Sequence, residues 1–415
     1  MGYRFGRADV EFLGGAAGRS ALAEAGALDL TPATHLRDLE QMRRAHGDRA
    51  AALVETIRLR RKAAAKLEGA ADWLFTDDAL QQATPTAVAR HRAARLAGRA
   101  VHDVTCSVGA DLTALAAVCP AVLGSDLDDV RLAMAAHNLA ASLRPLGVES
   151  GGNVVLARAD ALVPVSRGTV VIADPARRAD GKRTHDPARL QPPLPDLLNA
   201  YAGRELAVKC APGLDFDRLD WAGEVEVVSL DGAVREACLW SQGLADPGVT
   251  RRATVLRSRP PHSHTPPETV TDAEPDDIPE RAPGEWIIDP DGAIVRAGLV
   301  RHWAARHGLW QLDPQIAYLT GDHVPEGIRG FRVEDRLDLR EKTLRQELAR
   351  RDCGTLEILV RGVDVDPDAL RKRLKLRGSR AFTLVLTRIG RTGTAFLCTT
   401  PPAASSPSSS RSAAP

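Results

Sequence analysis

Through the first ninety-five residues, apolar positions recur three and four apart with charges between them. "ALAEAGALDL", "THLRDLEQMRRAHGDRAAALVETIRLRRKAAAKL" and "TPTAVARHRAARL" keep this spacing, which predicts amphipathic helices over residues 1–95. In the third stretch Thr84-Pro85 reads as a helix start, with Thr as cap and Pro in the first turn. The cluster Arg58, Arg60, Arg61, Lys62 and Lys66 has two readings, contact with phosphates or a solvated helix face.

From about residue 98 the rhythm changes. Short apolar runs ("RAVHDVTC", "AVLGSDLD", "NVVLARAD", "TVVIADPA", "ELAVKCAP") alternate with helical stretches such as "DLTALAAV" and residues 129–144. Repeated strand–helix units predict a buried parallel sheet covered by helices on both faces. "EVEVVSLDG", "VREACLW" and "RRATVLR" then follow one another too closely for helices between them, so antiparallel strands should close one edge. Residues 258–330 read as a proline- and acid-rich linker and connector in which "GEWIIDPDGAIVRAGLVRHWAARHGL" resumes a strand and a helix. Residues 331–400 give the order β-α-β-α-β-β, a small α+β module with a hairpin around "RTG". The low-complexity tail 401–415 is expected to be disordered.

Composition narrows the class without naming a partner. At 415 residues the chain needs more than one domain, and 55 Lys and Arg against 54 Asp and Glu leave no global charge to read. The six cysteines form no CxxC pair, which argues against a zinc site or a disulfide framework and fits a reducing cytoplasm. The N-terminus lacks a signal-peptide core, and no apolar run is long enough to span a membrane. His262 and His264 in "PPHSHTPP" fall short of the ligand number a metal site needs.

Candidate chemistry gathers where the parallel strands end, since open sheets of this kind bind ligands beyond their carboxyl edges. The first strand runs into the loop Asp103 to Gly109, the second ends at Asp126, the third leads to Asp160 and the fourth to "DPARR", Asp174 to Arg178. A carboxylate after the second strand can accept from ribose hydroxyls, and one after the third from an adenine amine. The first loop, "TCSVGA", has one glycine where the dinucleotide fingerprint needs three, so S-adenosyl-L-methionine fits the set better than a nicotinamide cofactor.

"VHDVTCSVGADLTALA", "VLGSDLDDVRLAMAAHNL", "ARADAL" and "VVIADPARR" together resemble class I S-adenosylmethionine-dependent methyltransferases. Gln81 to Arg92 and Asp174 to Arg178 are similar to bacterial members that carry a C-terminal THUMP-like domain; trimethylguanosine synthases are more distantly similar. The resemblance spans about residues 75–400. It implies an α/β fold: a Rossmann-like sheet over 96–257, an N-terminal helical domain over 1–95 and a THUMP-like domain over 331–400.

By the same resemblance, Asp103, Thr105, Ser107 and Gly109 would line the methionine side of the cofactor, Asp126 its ribose and Asp160 its adenine. Asp174 and Pro175 stand where relatives position a target amine with a D/N-P-P-Y/W motif. This chain departs from that pattern in two places. Thr105 and Ser107 replace loop glycines, and Ala176 and Arg177 replace the second proline and the stacking aromatic. Arg177 and Arg178 would contact substrate, by stacking or by gripping a phosphate, or else pair with Asp180 or Asp186. Lys209 is a further cation for the cleft, unless it snorkels to solvent.

The better-known cousins of the C-terminal module bind RNA, and Arg332 to Arg391 carry 16 basic against 10 acidic side chains. The expected activity is methyl transfer to RNA; the alternative is a non-catalytic RNA-binding protein on a degenerate methyltransferase scaffold.

Overall fold

The computed structural model describes residues 3–143, 153–176, 178–179, 182–183, 186–216, 219–258, 266–279 and 281–399. Arg177, His262, His264 and the tail 401–415 lie outside the described residues, as does the side chain of Arg178. The chain divides into two compact units, Met1–Thr250 with Val255–Glu268 and Arg251–Thr254 with Thr269–Pro415.

The first unit begins with helices α1 (Arg7–Gly14), α2 (Ala16–Gly26), α3 (His35–His46), α4 (Ala50–Ala63), α5 (Asp77–Gln82) and α6 (Thr86–Arg95). Leu53, Ile57 and Leu59 of α4 enter a core with Leu13, Trp73, Phe75 and Leu80. The basic cluster on and after α4 staples this region internally. Arg60 donates to the carbonyls of Asp72 and Trp73, Arg61 to those of Gly26, Leu28 and Asp29, and Lys66 to those of Leu80 and Gln81. Arg58 pairs with Glu55, and Lys62 with Asp77.

A sheet follows: β1 (Val101–Asp103), α7 (Ala110–Ala116), β2 (Val122–Asp126), α8 (Asp129–Leu143), β3 (Val154–Arg158) and β4 (Val170–Ala173). A two-stranded ribbon, β5 (Arg178–Ala179) and β6 (Lys182–Arg183), and helix α9 (Leu194–Ala200) precede β7 (Leu206–Cys210), β8 (Glu224–Leu230) and β9 (Ala233–Trp240). The order runs β8-β9-β7-β4-β1-β2-β3. β7, β4, β1, β2 and β3 are parallel, and β9 is antiparallel to both β7 and β8. The strand order reverses between β1 and β4, which opens a crevice at their carboxyl ends. β4, "VVIA", is buried throughout, as a strand covered on both faces must be.

Asn138 on α8 joins the helical region to this sheet. Its amide nitrogen donates to the carbonyls of Leu74 and Val108 at 3.0 and 2.9 Å, and its oxygen accepts the N–H of Leu74 at 2.7 Å. Val108 and Met134 belong to the same core as the N-terminal helices.

The boundary between the units falls at strands β10 (Arg251–Leu256) and β11 (Glu268–Thr271). The second unit then holds β12 (Trp286–Ile288), α10 (Gly292–Arg296), α11 (Val300–Arg306), β13 (Trp310–Gln311), β14 (Leu319–Gly321) and β15 (Gly330–Asp338). α12 (Glu341–Arg350), β16 (Cys353–Val360), α13 (Pro367–Leu374), β17 (Arg380–Ile389) and β18 (Thr392–Thr399) complete it. Its seven-stranded sheet has the order β13-β14-β12-β15-β18-β17-β16, so residues 286–321 add three strands beside the β-α-β-α-β-β module. The β17–β18 hairpin turns at Gly390, whose φ of +60° suits glycine. Among the described residues, no helix is long and apolar enough to cross a membrane.

Candidate active site

Asp103 ends β1 fully enclosed, and its Oδ1 accepts the Thr105 N–H at 3.0 Å and the Thr105 hydroxyl at 3.4 Å. Burial, reinforced by the nearby charge of Asp111, lifts its carboxyl to about 7. The loop then turns through Ser107 at φ +49° and Gly109 at φ +81°. At Gly109 a side chain is doubly disfavoured, since a Cβ there would also press on the Cβ of Ala135 at 3.2 Å. The Ser107 N–H donates to Asp126 Oδ2 at 3.0 Å, so the first and second strand ends are locked together. Asp126 Oδ1 accepts the Asp128 N–H at 2.9 Å, and Asp160 Oδ1 that of Leu162 at 2.9 Å.

Two cavities meet at these strand ends. The first, about 390 Å³, is lined by Asp103, Thr105, Ser107, Asp126 and Asp160, with Arg131 from α8. Its size falls within the usual range for small-molecule sites. Thr105 and Ser107 leave it open, and the Ser107 hydroxyl is buried without a hydrogen-bond partner among the described residues. Gly109 shapes the loop but does not line the cavity. The second cavity, about 330 Å³, is lined by Lys66, Gln81, Pro175, Arg235 and Glu236 among others. Asp174 and Lys209 line both.

Lys209 does not snorkel. It is 5 % exposed, and its ammonium donates to Asp174 Oδ2 at 2.5 Å, the Thr84 hydroxyl at 2.6 Å and Asp111 Oδ2 at 3.3 Å. Burial alone would discharge it, but Asp111 and Asp174 outweigh burial and hold it charged, above the ordinary lysine range. Arg92 of α6 binds Asp111 Oδ1 at 2.5 Å and also pairs with Glu236. Asp111 is half-buried, which would raise its carboxyl, yet Arg92 and Lys209 hold it well below the usual carboxylate range. Asp174 is thus anchored to a buried network of two cations and two further carboxylates.

The helix-start reading of Thr84 needs correction. α6 begins at Thr86 with Pro85 at its cap position, and the Thr84 hydroxyl instead serves Lys209 and Asp111. Arg92, Asp111, Arg131, Glu236, Lys66 and Arg235 were not assigned to the site from sequence. Thr84 and Arg92 fall within the Gln81–Arg92 segment that carried the family resemblance, so a signal for those two was present. Among the described residues, no group of His, Cys, Asp or Glu could hold a metal ion.

Two curated Mycobacterium tuberculosis proteins, from strains CDC 1551 and H37Rv, are 56 % identical to this chain over 370 residues. The matches cover 86 % of this chain and 99 % of each relative, and both are named as uncharacterized S-adenosylmethionine-dependent methyltransferases. The chain belongs to the S-adenosylmethionine-dependent methyltransferases. Residues 328–400 of this methyltransferase match a family described as THUMP domain-like, and residues 6–63 a domain of unknown function (DUF8688). Its fold is similar to a crystal structure of a methyltransferase candidate from Porphyromonas gingivalis W83, with a TM-score of 0.72 at 20 % identity. That match covers 96 % of this chain and all of the other. The methyltransferase therefore takes its methyl group from S-adenosylmethionine.

Proposed function

We propose that the enzyme methylates an amine of an RNA nucleotide, with Asp174 and Pro175 positioning the target between the two cavities. The observation that carries this reading is that Asp174 lines both cavities while Lys209 holds its carboxylate in place. A carboxylate oxygen fixed in this way is an acceptor, which matches the N–H of an amine.

The first cavity fits the cofactor. Asp126 would hold its ribose, Asp160 its adenine, and Asp103 with Thr105 its methionine end. The partnerless Ser107 hydroxyl supplies a further polar contact. Once bound, the cofactor brings an electrophilic methyl group, so the chain must mainly align the nucleophile. Asp174 accepts one amine hydrogen and leaves the nitrogen lone pair free to face the first cavity. The Pro175 carbonyl takes a second hydrogen, and the amine proton released on methylation can pass to Asp174. Arg177, Arg178 and Lys209 remain candidates for substrate contact, Lys209 acting through Asp174.

The RNA assignment is supported by the THUMP-like match and by the basic surplus of that module, 16 against 10. The test incubates the enzyme and labelled S-adenosylmethionine with total RNA from cells lacking it, followed by mass spectrometry of nucleosides. A methylated nucleoside that disappears with Asp126→Ala is expected. No cofactor binding by calorimetry, with Asp126→Ala and wild type indistinguishable, would remove the catalytic reading; equal tight binding by both would remove only the role of Asp126.

A further inference from the structure

The second cavity carries positive charge that the network around Lys209 does not neutralise. Its carboxylates are committed, Asp174 to Lys209 and Glu236 to Arg92. Lys66 spends two of its three N–H bonds on the carbonyls of Leu80 and Gln81, both at 3.0 Å, and has no carboxylate partner among the described residues. Arg235, exposed on β9, likewise has no ion pair among them. The two cations come from separate elements, the turn after α4 and strand β9, and both line this cavity.

We propose that Lys66 and Arg235 form an anion subsite that holds the backbone phosphate beside the nucleotide whose amine reaches Asp174. The proposal rests on the RNA reading above and names the part of the substrate this wall recognises. The field at Lys66 agrees with it. Burial, then the charges of Lys209 and Arg235, bring its ammonium down to about 8, an environment short of an anion. Phosphate suits the pair because a guanidinium offers a fork of donors and an ammonium a point charge. Such a grip would also compensate for the aromatic that the DPARR motif lacks, since it fixes the nucleotide through its backbone instead of its base face. Among the described residues, none that lines the cavity is aromatic.

The experiment uses the full-length enzyme, tritiated S-adenosylmethionine and total RNA from cells lacking the enzyme. Binding is followed separately with a labelled random-sequence single-stranded RNA 12-mer. Arg235→Gln is the primary variant, because the side chain is exposed and its loss spares the fold; Lys66→Met is the second. We expect each to raise KM for RNA by roughly 5–10-fold, with cofactor affinity unchanged by calorimetry. Each should also lower the slope of log affinity against log salt for the 12-mer by about 0.7, the value for one phosphate contact on a single strand. RNA labelled by wild type and by Arg235→Gln with equal KM and equal salt slope would overturn the subsite alone. No RNA labelled by wild type would overturn the RNA reading and the subsite with it. Adenosine monophosphate or inorganic phosphate competing as strongly as the 12-mer would assign the cations to a free phosphorylated substrate and overturn the proposal as stated.

Discussion

The Thr105 hydroxyl accepts the backbone N–H of Asp174 at 2.7 Å. One side chain of the first loop therefore fixes the start of the Asp174-Pro175 turn, and it does so from a position where a glycine would have nothing to offer. The same hydroxyl donates toward Asp103 Oδ1 at 3.4 Å. Thr105→Val keeps the shape but leaves the Asp174 N–H without this partner, a loss of about 0.5–1.5 kcal/mol. If that loss falls on the reacting geometry, kcat drops by up to roughly 10-fold. Calorimetry should show cofactor affinity within about threefold of wild type, and Thr105→Ser should restore turnover.

Lys209→Met removes the cation between Asp111 and Asp174 and leaves these two half-buried carboxylates facing one another without it. Breaking a fully buried pair costs about 3–5 kcal/mol; with Asp174 partly exposed the cost is at the lower end, about 2–3 kcal/mol. For a unit of this size that lowers Tm by on the order of 10 °C. The double variant Lys209→Met, Asp174→Asn should recover part of the loss by calorimetric melting. Full additivity of the two single effects would count against the network.

Asp103 makes stability depend on pH in an unusual direction. Its carboxyl sits at about 7 in the folded protein and near 3.9 when unfolded. Between those values the folded state keeps a proton that the unfolded state has lost, so this group's contribution falls as pH rises from about 4 to about 7 and is flat above. The total is about 2–4 kcal/mol. Urea midpoints should decline for wild type from pH 5 through 6 to 7 and level off by pH 8, and the decline should flatten in Asp103→Asn.

Gly109→Ala combines a positive φ with a Cβ 3.2 Å from that of Ala135, whereas Gly98, at φ +75°, has open space around it. Gly98→Ala should cost only the backbone term, about 1–2 kcal/mol. Gly109→Ala should cost more and weaken cofactor binding by at least about tenfold, because the loop between Asp103 and Asp126 must shift. Equal cofactor affinities for the two variants would contradict this account of the loop.

The sheet was legible because a doubly covered parallel strand has a signature of its own, as "VVIA" does, and because polar residues stand where such runs stop. Asp103, Asp126, Asp160 and Asp174 could be placed at one edge on that basis alone. Lys209 was ambiguous for a physical reason. Its neighbours in "LAVKC" reveal burial but not neutralisation, and its partners Thr84 and Asp111 lie 125 and 98 residues away in sequence. Thr84 next to a proline looks like a cap under any local rule, and only the tertiary position of Lys209 redirects its hydroxyl. The cluster from Arg58 to Lys66 was open between phosphates and solvent. Arg58, Arg61 and Lys62 are exposed, but every member has a partner within the protein: Arg60, Arg61 and Lys66 donate to backbone carbonyls, and Arg58 and Lys62 pair with carboxylates.

The clamp made by Asn138 decides how this protein can be cut. One amide holds Leu74 on one side and the carbonyl of Val108 on the other, and Val108 shares a core with Leu13 and Leu53. A fragment starting after α6 would expose that core and release the loop from Asp103 to Gly109 at the same time. The smallest autonomous piece that could carry catalysis therefore has to keep the helices from Arg7 onward.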